Sequence, residues 1–197
     1  MEDRELVTKA MLDCYAYIDD MYDALTQSIE KHALDGFYAI YAAEQFKLYG
    51  QIIKYNDRKV GLYNMKYLIE EGLARAAAYA DLLRAKYLEK KSVIEIARDR
   101  GLSLRTCYRR IGVGLTIFTG ELEKMGFDKK RLLKEFGNEP LFSSMLNRVI
   151  AEDDETRTRA SKEAHYEALS RNNRHSPRHR GNVDRVSVRT SDGAFSA

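Results

Sequence analysis

The sequence predicts an all-α protein, and three observations support that prediction. The first proline is Pro140, so residues 1–139 contain none. This long segment is rich in Ala, Leu, Glu, Lys and Arg, which favour helix strongly. No series of alternating apolar and polar runs bounded by turns predicts a β-sheet. We therefore expect helices joined by short turns.

Three helices are predicted in the N-terminal region, at residues 3–31, 37–55 and 62–80. Their apolar side chains recur every three or four residues, the spacing of one face of an α-helix. Gly36 separates the first two helices, and the polar run NDRK at 56–59 separates the second from the third. Such helices predict a small bundle or an antiparallel hairpin, so residues 1–80 are assigned to assembly. A candidate interruption of the third helix is Gly72.

Tyrosine is concentrated in this region, where eleven of the 13 tyrosines lie between Tyr15 and Tyr87. Two interpretations are open. The rings can fill helix interfaces while their hydroxyls stay in water, or they can form a surface that stacks bases or binds a partner. We expect the first for most of them, with dimerisation as the functional alternative.

Charge is distributed unevenly along the chain. Residues 1–75 hold 9 Lys/Arg against 13 Asp/Glu, a balance of −4, whereas residues 76–150 hold 15 against 9, a balance of +6. Residues 156–197 hold 9 against 4, a balance of +5. Like charges grouped in this way predict that the middle and the tail meet a polyanion.

The segment 96–111, IARDRGLSLRTCYRRI, has the pattern of two short helices joined by a tight turn. Gly101 tolerates the positive φ that such a turn requires, and Ser103 is a good N-cap for the next helix. In this segment and the helix before it, the side chains expected to face inward are those of Val93, Ile96, Ala97, Leu102, Cys107 and Ile111. The expected outward set is Leu104, Arg105, Tyr108, Arg109 and Gly112, with Arg110 at the edge.

The longer segment RAKYLEKKSVIEIARDRGLSLRTCYRRI resembles region four of bacterial sigma factors. It is similar in particular to the small phage-encoded, sigma-like transcriptional regulators of the ArpU/RinA type. The resemblance rests on Tyr87–Leu88, Ile96–Ala97, Gly101–Leu102–Ser103, Thr106, Tyr108–Arg109 and Ile111. It implies a helix-turn-helix within residues 81–150 that binds double-stranded DNA and controls phage or mobile-element genes, with RNA polymerase as a candidate partner.

Resemblance and geometry together assign roles to the residues of this segment. Arg105 and Arg109 are the candidates for base contact in the major groove, because arginine pairs bidentately with guanine. Tyr108 and Leu104 are expected at a thymine methyl group or a sugar. The candidates for contact with the DNA backbone are Ser103, Thr106, Arg110, Lys90 and Lys91.

Three residues depart from the family pattern. Arg100 stands where an apolar residue is common, and we expect it to be solvated without a function. Gly112 and Gly114 each cost about 1 kcal/mol relative to alanine inside a helix. The recognition helix, residues 103–111, is therefore expected to end or bend near Gly112, with a new helix at 115–125.

The C-terminal part changes character after Pro140. A short amphipathic segment follows this proline and is expected to close the core. Residues 151–197 hold few large apolar side chains, so they are predicted to form a disordered basic tail with a fraying helix at 156–170.

The sequence lacks the motifs of several function classes. It has no phosphate-binding glycine loop, no HExxH and no nucleophile elbow, so we expect no enzyme, metal or cofactor. No apolar run reaches the roughly 18 residues of a membrane span, and the charged start MEDRELVTKA is unlike a secretory signal. The two cysteines lie far apart in sequence and predict no disulfide framework. A soluble, cytoplasmic protein without a membrane partner is expected.

Three functions remain open at this point. The first is a transcriptional regulator that acts as a homodimer joined through its N-terminal helices, or together with RNA polymerase. The second is a small terminase-like DNA-packaging subunit, which also combines a helix-turn-helix with helical oligomerisation. The third is a helical protein-interaction module whose arginines meet an acidic partner.

Overall fold

The computed structural model describes residues 2–39 and 41–174, with side chains through residue 164. This part of the chain is all-α, as predicted, and contains no strand. The helices are α1 (Asp3–Tyr38), α2 (Ala42–Arg75), α3 (Ala80–Leu83), α4 (Val93–Asp99), α5 (Leu104–Lys124), α6 (Lys129–Phe136) and α7 (Pro140–Arg174). A 3-10 turn at Ala77–Tyr79 precedes α3, and a π-helical turn at Arg84–Leu88 follows it.

The helices α1 and α2 form a long antiparallel hairpin. Tyr15, near the start of α1, donates a hydrogen bond of 2.6 Å to Glu70 near the end of α2. Farther along α1, the ring of His32 stacks on Tyr55 with 5.5 Å between ring centroids. Residues farther along α1 thus contact residues closer to the start of α2, which shows that the two helices are antiparallel. The hairpin agrees with one of the two arrangements that the sequence predicted.

The predicted break at 56–59 is wrong, because α2 continues through these residues. Arg58 donates two hydrogen bonds to the Glu139 carboxylate, from Nε at 3.1 Å and from Nη2 at 2.8 Å. On either side, Tyr55 and Leu62 join the apolar packing. Tertiary packing of the flanking turns therefore outweighs the weak helix propensity of the polar run.

The interruption expected at Gly72 is also absent, since this residue is buried inside α2. A Cβ atom at Gly72 would lie 2.7 Å from Phe118 Cε2 and 3.0 Å from Leu122 Cδ2. The missing side chain therefore allows α5 to approach α2 closely.

The core draws on helices from most of the described sequence. Its largest fully buried side chains are Met11, Leu12, Ile18, Leu62, Met65, Ile69, Leu73, Leu83, Ile96, Phe118, Leu122 and Phe142. Inside it, the hydroxyls of Thr8 on α1 and Thr119 on α5 are hydrogen-bonded at 2.6 Å. Because core residues lie on both sides of position 80, Met1–Thr156 forms one compact unit. The functional division into residues 1–80 and 81–150 stays a prediction.

The expectation that the recognition helix ends or bends near Gly112 is wrong, because α5 is continuous from Leu104 to Lys124. A Cβ at Gly114 would lie 3.0 Å from Tyr79 Cβ and 3.4 Å from Leu83 Cδ2. Gly114 therefore serves a close approach of helices. The burial of Leu115, Phe118 and Leu122 farther along holds the helix together despite its glycines.

Most tyrosines of the hairpin are exposed, which contradicts the expectation that their rings fill helix interfaces. Of the six tyrosines between Tyr38 and Tyr67, only Tyr55 is half-buried. The exposed five are Tyr38, Tyr41, Tyr49, Tyr63 and Tyr67. Three of these rings lie at the edge of the contact with α1. A Cβ at Gly36 would be 3.9 Å from Tyr49 Cε1, and Tyr63 and Tyr67 line a cleft together with Ile18, Asp19 and Tyr22 of α1.

The last helix, α7, extends into the segment that was predicted to be a disordered tail. Residues 151–174 continue α7, which includes the helix predicted at 156–170, whereas the disorder predicted for 151–155 and 171–174 is not observed. Exposed helices can be supported by ion pairs four residues apart instead of by burial, and α7 contains Arg148–Glu152 and Arg159–Glu163, each at 3.6 Å. A second compact unit begins at Arg157. The rest of the predicted tail, 175–197, lies outside the described residues.

Within the described part of the chain, no helix is both long enough and apolar enough to span a membrane.

Candidate nucleic-acid interface

The helix α4 begins with a capping box. Ser92 Oγ accepts a hydrogen bond from the Glu95 backbone N–H at 3.2 Å, and the Glu95 carboxylate accepts one from the Ser92 N–H at 2.8 Å. This backbone hydrogen bond lowers the pKa of Glu95 below its usual value. The start of α4 is thereby fixed. The buried residues Val93, Ile96 and Ala97 confirm its predicted inward face.

The turn after α4 has the hydrogen bonds of a Schellman motif. The Leu102 N–H donates to Ala97 O at 2.8 Å, and the Gly101 N–H donates to Arg98 O at 3.2 Å. Gly101 has a φ of 62°, which confirms that the turn uses the left-handed region. Backbone geometry alone therefore sets the direction in which the chain enters α5.

Ser103 is the N-cap of α5, as predicted. Its Oγ accepts a hydrogen bond from the Thr106 N–H at 3.2 Å and lies 2.8 Å from Thr106 Oγ1. The first N–H groups of a helix have no acceptor within the helix, so those of Leu104 and Arg105 are available to an anion.

The two faces of α5 divide as the sequence predicted. Cys107 is fully buried and Ile111 is 8% exposed. On the opposite face the side chains expected to face outward are exposed: Leu104, Arg105, Tyr108, Arg109, Arg110 and Gly112. Val113, which the sequence did not single out, extends this exposed face.

The arginines of α5 carry unpaired positive charge. In the described part of the chain, no ion pair or hydrogen bond occupies the guanidinium groups of Arg105, Arg109 and Arg110. Because Arg105 and Arg109 are four residues apart, they lie side by side on the helix surface. This arrangement can present two planar groups, each with several donors, to one acceptor-rich ligand.

The two lysines assigned to the DNA backbone are engaged within the protein. Lys90 Nζ lies 3.2 Å from the Asp13 carbonyl oxygen and 3.6 Å from an Asp13 carboxylate oxygen. Lys91 Nζ pairs with Glu89 at 2.8 Å, and this hydrogen bond raises the pKa of Lys91. Their role as phosphate contacts stays a prediction, and it would require these pairs to open.

Arg100 is exposed, in agreement with the expectation that it is solvated, and it lies beside α5. Arg100 and Arg110 line the same cleft of about 220 Å³, together with Tyr79 and Leu102. The cleft adds Arg100 to the candidate phosphate contacts. The position of Arg100 directly before the turn glycine is the sequence signal that would have suggested this.

Comparison with known proteins gave no match, whether to protein-family models, to curated proteins or to solved structures.

Proposed function

We propose that this chain is a sequence-specific, double-stranded DNA-binding transcriptional regulator of phage or mobile-element genes. In this proposal α4 and α5 act as a helix-turn-helix, with residues 103–111 inserted into the major groove. One observation carries it. Arg105 and Arg109 stand unpaired on the exposed face of a helix whose opposite face is buried and whose start is capped.

The side chains of this face match the chemistry of base edges. A guanidinium group can donate two hydrogen bonds to guanine O6 and N7, and each such pair is worth about 1–3 kcal/mol of discrimination. Tyr108 and Leu104, which are 62% and 47% exposed, offer apolar contact to a thymine methyl group. The DNA backbone is contacted by Ser103, Thr106 and Arg110, and the free N–H groups at the start of α5 are directed to a phosphate.

A single module of this size needs a second contact for tight binding, because it buries only about 600–1,000 Å² on DNA. We propose two routes: a homodimer that binds two half-sites, or a complex with RNA polymerase at the promoter. Both describe a cytoplasmic, non-enzymatic protein.

The test is fluorescence anisotropy with the duplex upstream of the protein's own operon and a scrambled duplex, over a salt series. We expect tight binding to the native duplex alone. Arg105→Ala/Arg109→Ala should weaken that binding about 30-fold or more and remove the preference, because two base contacts are lost. A charge-matched control is Arg75→Ala/Arg98→Ala, since both residues are exposed and pair with carboxylates on their own helices. This control should keep the preference.

Two results would contradict the proposal. Equal binding of both duplexes, unchanged in the Arg105/Arg109 variant, would favour a protein-interaction module with a basic scaffold. A ring-shaped oligomer in solution would favour a small terminase-like packaging subunit.

A further inference from the structure

The helix α2 has two parallel rows of side chains along its N-terminal two thirds. The inner row faces α1 and is buried or half-buried. Its members are Gln45, Leu48, Ile52, Tyr55, Lys59, Leu62 and Lys66. They recur at alternating steps of three and four residues, which is the spacing of a coiled-coil seam.

The outer row repeats the same spacing one residue further along and is exposed throughout. It consists of Phe46, Tyr49, Ile53, Asn56, Val60, Tyr63 and Tyr67, which we call the α2 seam. The side chains of its six apolar or aromatic members are between 51% and 76% exposed. One residue is about 100° around a helix, so the α2 seam points to a second neighbour beside α1.

In the described chain, α1 reaches only the edge of the α2 seam, at Tyr49, Tyr63 and Tyr67, and the apolar members of the seam stay more than half exposed. The outer part of the hairpin runs from Leu25 on α1, around the tip, to Leu62 on α2. Between these two residues, Gly36 is the only buried residue among those that the structure describes. The tip adds further exposed apolar side chains, namely Leu34, Phe37, Tyr38 and Tyr41. Soluble monomers rarely expose a contiguous apolar surface of this extent, and such surfaces mark interaction sites.

The exposed area is sufficient for a stable dimer. A specific interface buries about 800 Å² on each partner. A buried aromatic side chain contributes roughly 150–250 Å², so the α2 seam and the tip together reach that size. The seam spans 22 residues of α2, from Phe46 to Tyr67, which corresponds to about 30 Å of helix.

Two features favour a second copy of this chain as the occupant. The seam is balanced around Asn56, with two aromatic residues and one β-branched residue on each side, so an antiparallel two-fold pairing centred on Asn56 would bring like residues together. A single polar Asn within an apolar seam is a device by which coiled coils fix register and oligomeric state.

We infer that two copies of the chain pair through their α2 seams, so that the two hairpins form a helical bundle with Asn56 at its centre. The inference deepens the proposed function, because it names the surface that joins two DNA-binding units. Only this role in joining DNA-binding units rests on the proposed function. The pairing itself rests on the hairpin and takes place without DNA.

The test is sedimentation equilibrium of the full chain without DNA, over a range of concentrations. The parent should show a reversible monomer–dimer equilibrium, with a dimer of twice the 22.7 kDa chain mass. Ile53→Glu/Tyr63→Glu places unpaired charges in the seam and should raise the dissociation constant about 100-fold or more. Both residues are exposed, so far-ultraviolet circular dichroism of the variant should match that of the parent.

A matched control and a tightening variant make the result specific. Lys54→Glu changes the net charge by the same two units at an exposed position beside the seam, and it should leave the dissociation constant within about threefold of the parent's. Asn56→Ile removes the polar residue and should lower the dissociation constant or increase the oligomer size.

A parent that stays monomeric would overturn the inference, as would a seam variant that dimerises like the parent. A parent larger than a dimer would overturn it too. None of these readouts uses DNA. A parent that is monomeric but keeps its sequence preference in the anisotropy assay would therefore refute the pairing alone. A parent that dimerises but shows no sequence preference would refute the DNA-binding proposal alone.

Discussion

Gly72 and Gly112 both lie inside long helices, but their surroundings differ. A Cβ added at Gly72 would meet the ring of Phe118 at 2.7 Å, whereas one added at Gly112 has nothing within 4 Å. The first glycine is thus required by packing between α2 and α5. The second has no packing role within the described chain.

Alanine substitutions at these two positions should have opposite effects on stability. Gly72→Ala should destabilise the protein by about 1–3 kcal/mol, because the overpacked core must shift. Gly112→Ala should stabilise it by roughly 0.5–1 kcal/mol, because alanine loses less backbone entropy in a helix. Urea unfolding of the two variants and the parent measures both changes. Equal shifts in the same direction would contradict the packing described for Gly72.

Single-residue features were predictable where their cause is local. The cap at Ser103 and the turn at Gly101 depend on residues within a few positions, and the structure confirms both. The reason for Gly72 could not be predicted, because Phe118 is distant in sequence and approaches only in the folded chain.

At the scale of elements, α4 depends on one carboxylate at its start. Glu95 accepts the Ser92 N–H, and this bond holds its pKa below the usual value. A lowered folded-state pKa means that Glu95 stabilises the folded protein above the ordinary pKa of about 4.3. That contribution is lost as the pH falls through the folded-state pKa and Glu95 becomes protonated.

We therefore expect Glu95→Ala to lower the melting temperature at pH 7, with the difference from the parent shrinking as the pH falls towards about 3. Thermal unfolding of both proteins across this pH range measures the difference. A difference in melting temperature that stays constant down to pH 3 would show that the ionised carboxylate does not act through the capping box.

Helix boundaries were predicted less well than helix faces. The inward and outward sides of α4 and α5 followed from apolar spacing, and burial confirms them. The continuity of α2 through 56–59 and of α5 through Gly112 was missed. In both helices, packing and ion pairs with distant segments outweigh local propensity, so a local pattern could not reveal them.

At the scale of the whole molecule, two surfaces differ in chemistry. The hairpin bears a net negative charge and exposed aromatic side chains, while α5 bears unpaired arginines. The sequence indicated the charge difference. It could not show which face of the tyrosine-rich helices is covered, because α2 carries two apolar rows of equal spacing and α1 buries only one of them.

This combination suits a protein that pairs through one surface and binds DNA through the other. In a two-fold dimer the two α5 helices would bind half-sites one helical turn apart, about 34 Å, or a multiple of that. The bound DNA would then carry an approximate inverted repeat.

The measurement that tests the central claim most directly is selection from a pool of randomised duplexes, carried out with the parent and with Arg105→Ala and Arg109→Ala singly. We expect the parent to enrich one consensus. Each variant should lose preference at particular base pairs while keeping the rest, because each arginine contacts its own bases. A parent that enriches no consensus, or variants that enrich the parent's consensus unchanged, would contradict the claim that the exposed face of α5 recognises DNA sequence.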